Sequence, residues 1–196
     1  MSKTDLSTLP EPPENPPWGV TNSSHAARIL GAVNHPMSIE VEPARQPDVE
    51  RMLAGSSAYV RTLGYPPEAN FLLDVEQLEQ PGVRVYVARD RFGTALGIAA
   101  LIEGPALGEG IGELKRMFVA ERARSRGVAG RLLHTIETEA LSRGLHQLVL
   151  ETGTLHLAAQ ALYAKHGYRR IEPFGQYVGE PYSVCMAKDL GEPRLG

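Results

Sequence analysis

The chain has 196 residues, 42% of them hydrophobic and 22% charged, with a formal net charge of −3 and a pI near 6.1. That length and composition suit one globular domain with a sizeable core and leave little room for a second. The charge balance speaks against nucleic acid or an acidic membrane surface as partner, since both need a clustered basic excess. A single cysteine, Cys185, excludes an intramolecular disulfide and a cysteine-based metal site. It lies in the apolar run Ser183-Val184-Cys185-Met186-Ala187 and reads as a buried structural thiol. The N-terminus shows no apolar stretch of signal-peptide length and no segment approaches a membrane span, so a cytoplasmic protein is expected.

Residues 1–37 form a proline-rich arm in which Pro10 to Pro17 rules out helix and central strand. An extended linker is expected there, with Trp18 able to pin it to a groove. Regular patterning starts at Ser38, where Ser38–Glu42 alternates as a strand. Asp48–Leu63 carries Val49, Met52, Leu53, Ser56 and Val60 at helical spacing, closed by Gly64. After the loop Tyr65–Asn70, a second helix is predicted over Phe71–Gln80, stopped by Pro81-Gly82. Val83–Asp90 and Ala95–Ile102 read as a hairpin, and Gly112–Val119 as the next strand. Val128–Arg143 is an amphipathic helix with Gly144 beyond its end. His146–Thr152 is a continuously apolar strand buried on both faces. Leu155–Lys165 is a last helix, and Tyr168–Ile171 and Tyr182–Lys188 are closing strands. The order βααβββαβαββ defines an α/β domain around a mixed sheet over residues 38–190, with 191–196 as a tail.

The informative stretch is Glu113–Val119 followed by Arg124-Ser125-Arg126-Gly127-Val128-Ala129-Gly130 at the opening of the long helix. Unpaired amides at a helix start, with the helix dipole, favour an anion. Gly127 permits close approach of the backbone, Ala129 and Gly130 keep the first turn clear, and Arg124 and Arg126 add positive charge. This is a pyrophosphate cradle, distinct from the P-loop and from the G-x-G-x-x-G dinucleotide fingerprint. Solvated arginines on a plain strand–loop–helix connection are the alternative.

Arg124-x-x-Gly127-x-Ala129, set between a strand and a helix, resembles the Q/R-x-x-G-x-G/A signature of the GNAT superfamily of acyl-CoA N-acyltransferases. Ala161-Leu162-Tyr163-Ala164-Lys165-His166-Gly167-Tyr168 resembles that superfamily's second hallmark, a tyrosine-bearing helix ending at a glycine. Glu113–Val119 together with Leu150-Glu151-Thr152-Gly153 looks like a group of small bacterial acetyltransferases of mostly unassigned substrate. The resemblance implies a GNAT-like, mostly antiparallel central sheet flanked by helices, with acetyl-CoA as cosubstrate. It implies that the backbone of Met117, Phe118 and Val119 holds the pantetheine arm and that of Arg124 through Gly130 the pyrophosphate. It also implies a possible homodimer.

Acyl transfer from a thioester to an amine needs a neutral amine, a polarised carbonyl and a stabilised thiolate. Because alkyl amines have a pKa near ten, a base or a desolvating pocket must help. By the resemblance, Tyr163 stands near the coenzyme sulfur as general acid; a packed tyrosine bonded to backbone is the alternative. The resemblance likewise offers Glu113 as base, directly or through water, against a plain salt bridge. The resemblance also implies that the loop carrying Tyr65, Glu68 and Asn70 covers the acyl end, which makes these three the candidate contacts to a small-molecule amine, against a polar surface loop. His134, His146, His156 and His166 are scattered without an acidic partner, so no metal is expected. A non-catalytic acyl-CoA sensor acting through the N-terminal arm is the competing reading, and a ligand-free scaffold the third.

Overall fold

The computed structural model describes residues 37–191. The expected arm and tail lie outside the described residues, apart from Met37 and Gly191. Seven strands form one sheet in the order β1-β2-β3-β4-β5-β7-β6. They are β1 (Met37–Val41), β2 (Val83–Asp90), β3 (Ala95–Glu103), β4 (Ile111–Val119), β5 (Gln147–Gly153), β6 (Arg169–Arg170) and β7 (Ser183–Asp189). Every pairing is antiparallel except β4 with β5. The helices are α1 (Pro47–Arg61), α2 (Val75–Leu78), α3 (Val128–Ser142) and α4 (Leu157–Lys165). The element order agrees with the sequence reading.

Burial explains the layering. All of β3 from Ala95 to Leu101 is buried, which demands cover on both faces. On one face Gly97 approaches Val128 and Leu132 of α3, and on the other the ring of Phe118, paired with Ile98, lies against Gly55 of α1. Helix α3 turns Val128, Leu132, Leu133, Ile136 and Ala140 inward, and α1 buries Val49, Met52, Leu53 and Ser56. Cys185 is buried, as expected. No helix among the described residues is long and apolar enough to cross a membrane.

Helix α2 is much shorter than predicted. Asp74 caps it in a reciprocal capping box with Gln77, which fixes its start at Val75. Phe71, Leu72 and Leu73 lie outside any helix, and the Phe71 ring meets Tyr177 edge-on at 5.2 Å. Helix α4 also begins late, at Leu157. The amide of Leu155 donates to the Tyr65 hydroxyl, while Gln160 donates to the carbonyls of Gly153 and Thr154. Tertiary partners hold this stretch in a loop where helical periodicity alone extends the helix.

Two irregularities of β4 position the site. Strands β4 and β5 pair only from Ile111–Gln147 to Leu114–Leu150, then part. On its other edge β4 bulges, with Arg116 and Met117 standing against Ala99 alone, and Arg116 adopts φ 54°. A cleft opens between the separating strands.

Candidate active site

The cleft holds a cavity of about 340 Å³. Its walls come from β4 beyond Leu114, from Glu151–Gly153 of β5, and from Ser56, Tyr59 and Val60 of α1. The Ala69–Leu72 segment and the inner face of α4 close it. Of the expected cofactor residues, Met117, Phe118, Val119, Arg124 and Ala129 line it. The guanidinium of Arg124 lies over the rings of Tyr59 (5.3 Å) and Phe118 (6.0 Å), closing the end nearest α3.

Ser125, Arg126, Gly127, Val128 and Gly130 are not in the cavity wall; they build the turn beside it. Ser125 and Gly127 both take positive φ, 59° and 77°. Such a turn aims successive amides outward as an anion-binding concavity. No side chain caps α3, and its first backbone bond runs from the Arg131 amide to the Gly127 carbonyl. A Cβ built on Gly127 would meet nothing within 4 Å, so the space before these amides is open. The side chain of Val128 belongs to the core, which leaves only its amide for a ligand. Gly130 is small for a further reason: the ring of His166 would stand 3.1 Å from an added Cβ.

Tyr163 is buried and lines the cavity. Burial first, and the charge of Glu151 second, push its hydroxyl well above the ordinary phenol range. Glu113, offered as base against a plain salt bridge, does not line the cavity. Its side chain is buried outside the cavity wall, accepting a 2.6 Å bond from the Tyr177 hydroxyl. Tyr177 in turn accepts from Lys115 Nζ at 2.6 Å, and that nitrogen is 3.7 Å from Glu113. Two strand positions after Glu113, Lys115 does reach the cavity. Burial lowers its pKa against the opposing pull of Glu113 and Glu151.

The carboxylate that does line the cavity is Glu151. Burial raises its pKa, opposed by the 2.8 Å hydrogen bond from Ser183 and the charge of Lys115. Tyr65 and Asn70 line the cavity as expected, whereas Glu68 is exposed and lies outside it. Glu68 sits in a single 3-10 turn whose exposed face carries it away. Tyr65 packs edge-on with Tyr182 (5.9 Å) and His156 (5.7 Å) and covers Gly153 so closely that no Cβ fits there. His156 stacks on Tyr59 at 6.0 Å, leaves Nε2 without a partner, and has its pKa lowered by burial. Sequence reading missed Lys115, Arg116, Glu151, His156, Tyr177 and Tyr182. For Glu151 a signal existed, since a charged residue in an apolar strand is costly to bury without a purpose.

Among the described residues no group of three or more His, Cys, Asp and Glu could hold a metal ion.

An open strand pair beside an uncapped helix start is the architecture of an acyl-CoA-dependent transferase, and sequence comparison gives the same class. The profile of the Acetyltransferase (GNAT) family matches residues 54–168. The chain belongs to that family and is an acyl-CoA-dependent N-acetyltransferase. It is 41% identical over 157 residues to an IAA acetyltransferase of Azospirillum brasilense, covering 79% of this chain and 98% of the relative. It is 40% identical over 129 residues to the uncharacterized N-acetyltransferase YedL of Escherichia coli, covering 65% of this chain and 79% of that one. A structure from Klebsiella pneumoniae described as an acyl-CoA N-acyltransferase superposes with a TM-score of 0.69 at 30% identity, covering 79% and 98%.

Proposed function

We propose that the chain moves the acetyl group of acetyl-CoA to the primary amine of a small molecule by direct attack in the cleft between β4 and β5. The observation that carries this reading is the cavity itself: Tyr163, Glu151 and the free edge of β4 share one wall system that leads to the open amides of α3. The residues fit the cosubstrate. The Ser125–Gly130 turn suits its pyrophosphate, and the backbone of Met117, Phe118 and Val119 suits its pantetheine amides. When bound, acetyl-CoA supplies an activated thioester carbonyl.

The chain's own groups handle the protons. The aromatic wall of Tyr59, Tyr65, Phe71 and Tyr182 favours the neutral form of the entering amine. As the C–N bond forms, the nitrogen becomes cationic and strongly acidic, and the Glu151 carboxylate takes its proton. The C–S bond then breaks, and the sulfur leaves as a thiolate that accepts a hydrogen bond from the Tyr163 hydroxyl. Full proton transfer from Tyr163 runs uphill, because a thiol has a pKa of about 8.5 and this phenol lies above 10. The tyrosine therefore acts as an oriented donor to developing charge. Glu113 is a positioning residue that holds Lys115 through Tyr177.

The test is release of free thiol from acetyl-CoA against a panel of amino acids, polyamines, aminoglycosides and peptides. A small amine is expected to be the best acceptor, and the chain's small net charge of −3, without a strong acidic excess to attract a long basic tail, supports that expectation. Selective acetylation of a long basic peptide over every small amine would overturn it.

A further inference from the structure

Among the described residues, Arg116 is the buried cation whose partners do not account for it. It is 7% exposed, at the β4 bulge, in a left-handed backbone conformation that costs a non-glycine residue strain. Nη2 donates to the Leu53 carbonyl of α1 at 2.9 Å and makes a long 3.4 Å contact with Ser57 Oγ. Its Nε and Nη1 are buried and bond to nothing. No carboxylate stands within ion-pair distance among the described residues, whereas Arg89 has Glu42 and Asp48, Lys188 has Glu137, and Lys115 has Glu113. Burial alone pushes the guanidinium pKa down to about 10, so it stays charged at neutral pH. A buried charge left this way is strongly unfavourable unless something else completes it.

The place of Arg116 says what that is. It lines the main cavity and also a neighbouring hollow of about 410 Å³ bordered by Ser57, Arg61, Asn70, Leu72 and Asp74. The acidic residue there, Asp74, already accepts the Gln77 amide as the cap of α2. The second cation, Arg61, deepens the positive character of the hollow. Phosphates of the cosubstrate belong at the α3 turn, whereas this hollow is walled by α1 and the Asn70–Val75 segment. Asn70 and Leu72 border both spaces.

We infer that Arg116 is the receptor for a carboxylate on the acceptor, so that the amine acetylated in this cleft belongs to an amino-acid-like molecule. The inference rests on the proposed acetyl transfer and names its substrate class. The carboxylate supplies the missing countercharge to the guanidinium where Arg116 borders the two spaces, while the amine of the same molecule points toward Glu151. Guanidinium suits this task because its charge is permanent and its donors are spread in a plane.

The experiment compares matched pairs: free L-amino acids against the corresponding amino acid amides, which keep the amine and lose the carboxylate charge. Wild type should favour the acids in kcat/KM by about 10–100-fold, the scale of a charge-assisted hydrogen bond. Arg116→Gln should abolish the preference by lowering only the rate with acids, and Arg116→Lys should keep part of it. The ratio within each pair is its own control, since loss of the Leu53 contact harms both members equally. Equal rates for acids and amides in wild type, a measurement that needs no variant, would overturn the proposal and leave acetyl transfer standing. Absence of turnover with every amine would sink the proposed function instead. In that event, thermal shift of the wild type by the same acids and amides, in the presence of coenzyme A, reads the subsite alone. Stabilisation by acids only would support it, and stabilisation by neither or by both equally would overturn it.

Discussion

Substituting Gly127 separates the two tasks of the α3 turn, backbone conformation and ligand approach. The residue sits at φ 77° as the cap of α3, and a Cβ there touches nothing within 4 Å. The folded chain therefore pays only the left-handed conformation, about 1–2 kcal/mol. For a chain of this size that lowers Tm by roughly 2–8 °C. Gly127→Ala and Gly127→Glu should share this loss of stability, because both place the same Cβ on a left-handed backbone and that Cβ meets nothing. They should differ in ligand binding. The alanine methyl intrudes slightly on the open space before the amides, whereas glutamate fills it and sets a negative charge against the pyrophosphate. Coenzyme A affinity measured by calorimetry should fall about 30–1000-fold in Gly127→Glu, equivalent to roughly 2–4 kcal/mol of lost charge-assisted contacts. In Gly127→Ala it should fall far less. Wild-type affinity in a folded Gly127→Glu protein would remove the turn from the binding site.

Two further predictions concern protons. Tyr163→Phe keeps the buried ring and loses one donor to the leaving sulfur, so kcat should drop about 10²–10³-fold at unchanged coenzyme affinity. Because the Tyr163 pKa is raised, wild type should show no loss of rate from tyrosine ionisation below pH 10; turnover of the Phe variant within threefold of wild type would end the donor assignment. Glu151 must be ionised to take a proton, and burial raises its pKa above 4.5, so the acid limb of kcat/KM should lie higher than an exposed glutamate would place it. Glu151→Gln should cost about 10²–10⁴-fold and erase that limb, and Ser183→Ala, which removes a bond favouring the carboxylate, should move it further up. An acid limb that stays in place in both variants would show that another group titrates.

Most of the fold was legible because its elements are locally consistent. The strands of the hairpin and the long helix carry their periodicity and their stop signals in adjacent residues, and their observed bounds differ from the sequence reading by a residue or so. Legibility failed where a distant partner decides the backbone. Phe71 fits the helical pattern expected over Phe71–Gln80, yet its ring is committed to Tyr177, more than a hundred positions along the chain. Leu155 fits the α4 pattern, yet its amide belongs to Tyr65. The conformation of the α3 turn was readable because glycine, small residues and arginines cluster beside a helix start, and Ser125 and Gly127 both take positive φ there.

The acceptor end of the site was unreadable for a different reason. Strict alternation along β4 puts Glu113, Lys115 and Met117 on one face and Leu114, Arg116 and Phe118 on the other. The bulge at Arg116–Met117 inserts an extra residue, so alternation before it does not carry through. Beyond Leu114 the strand also loses β5 as a neighbour, and side chains from both parities, Lys115 and Arg116 among them, border the same cavity. The family resemblance offers Glu113 as base against a plain salt bridge, and the parting of the strands begins only after it. Glu113 therefore stays within the paired region and anchors Lys115. Glu151 lies one residue past the last β4–β5 pair, where β5 has β7 on one side and the cavity on the other. Which carboxylate borders the cavity is thus decided by where the strands separate, a point that no local pattern in either strand marks.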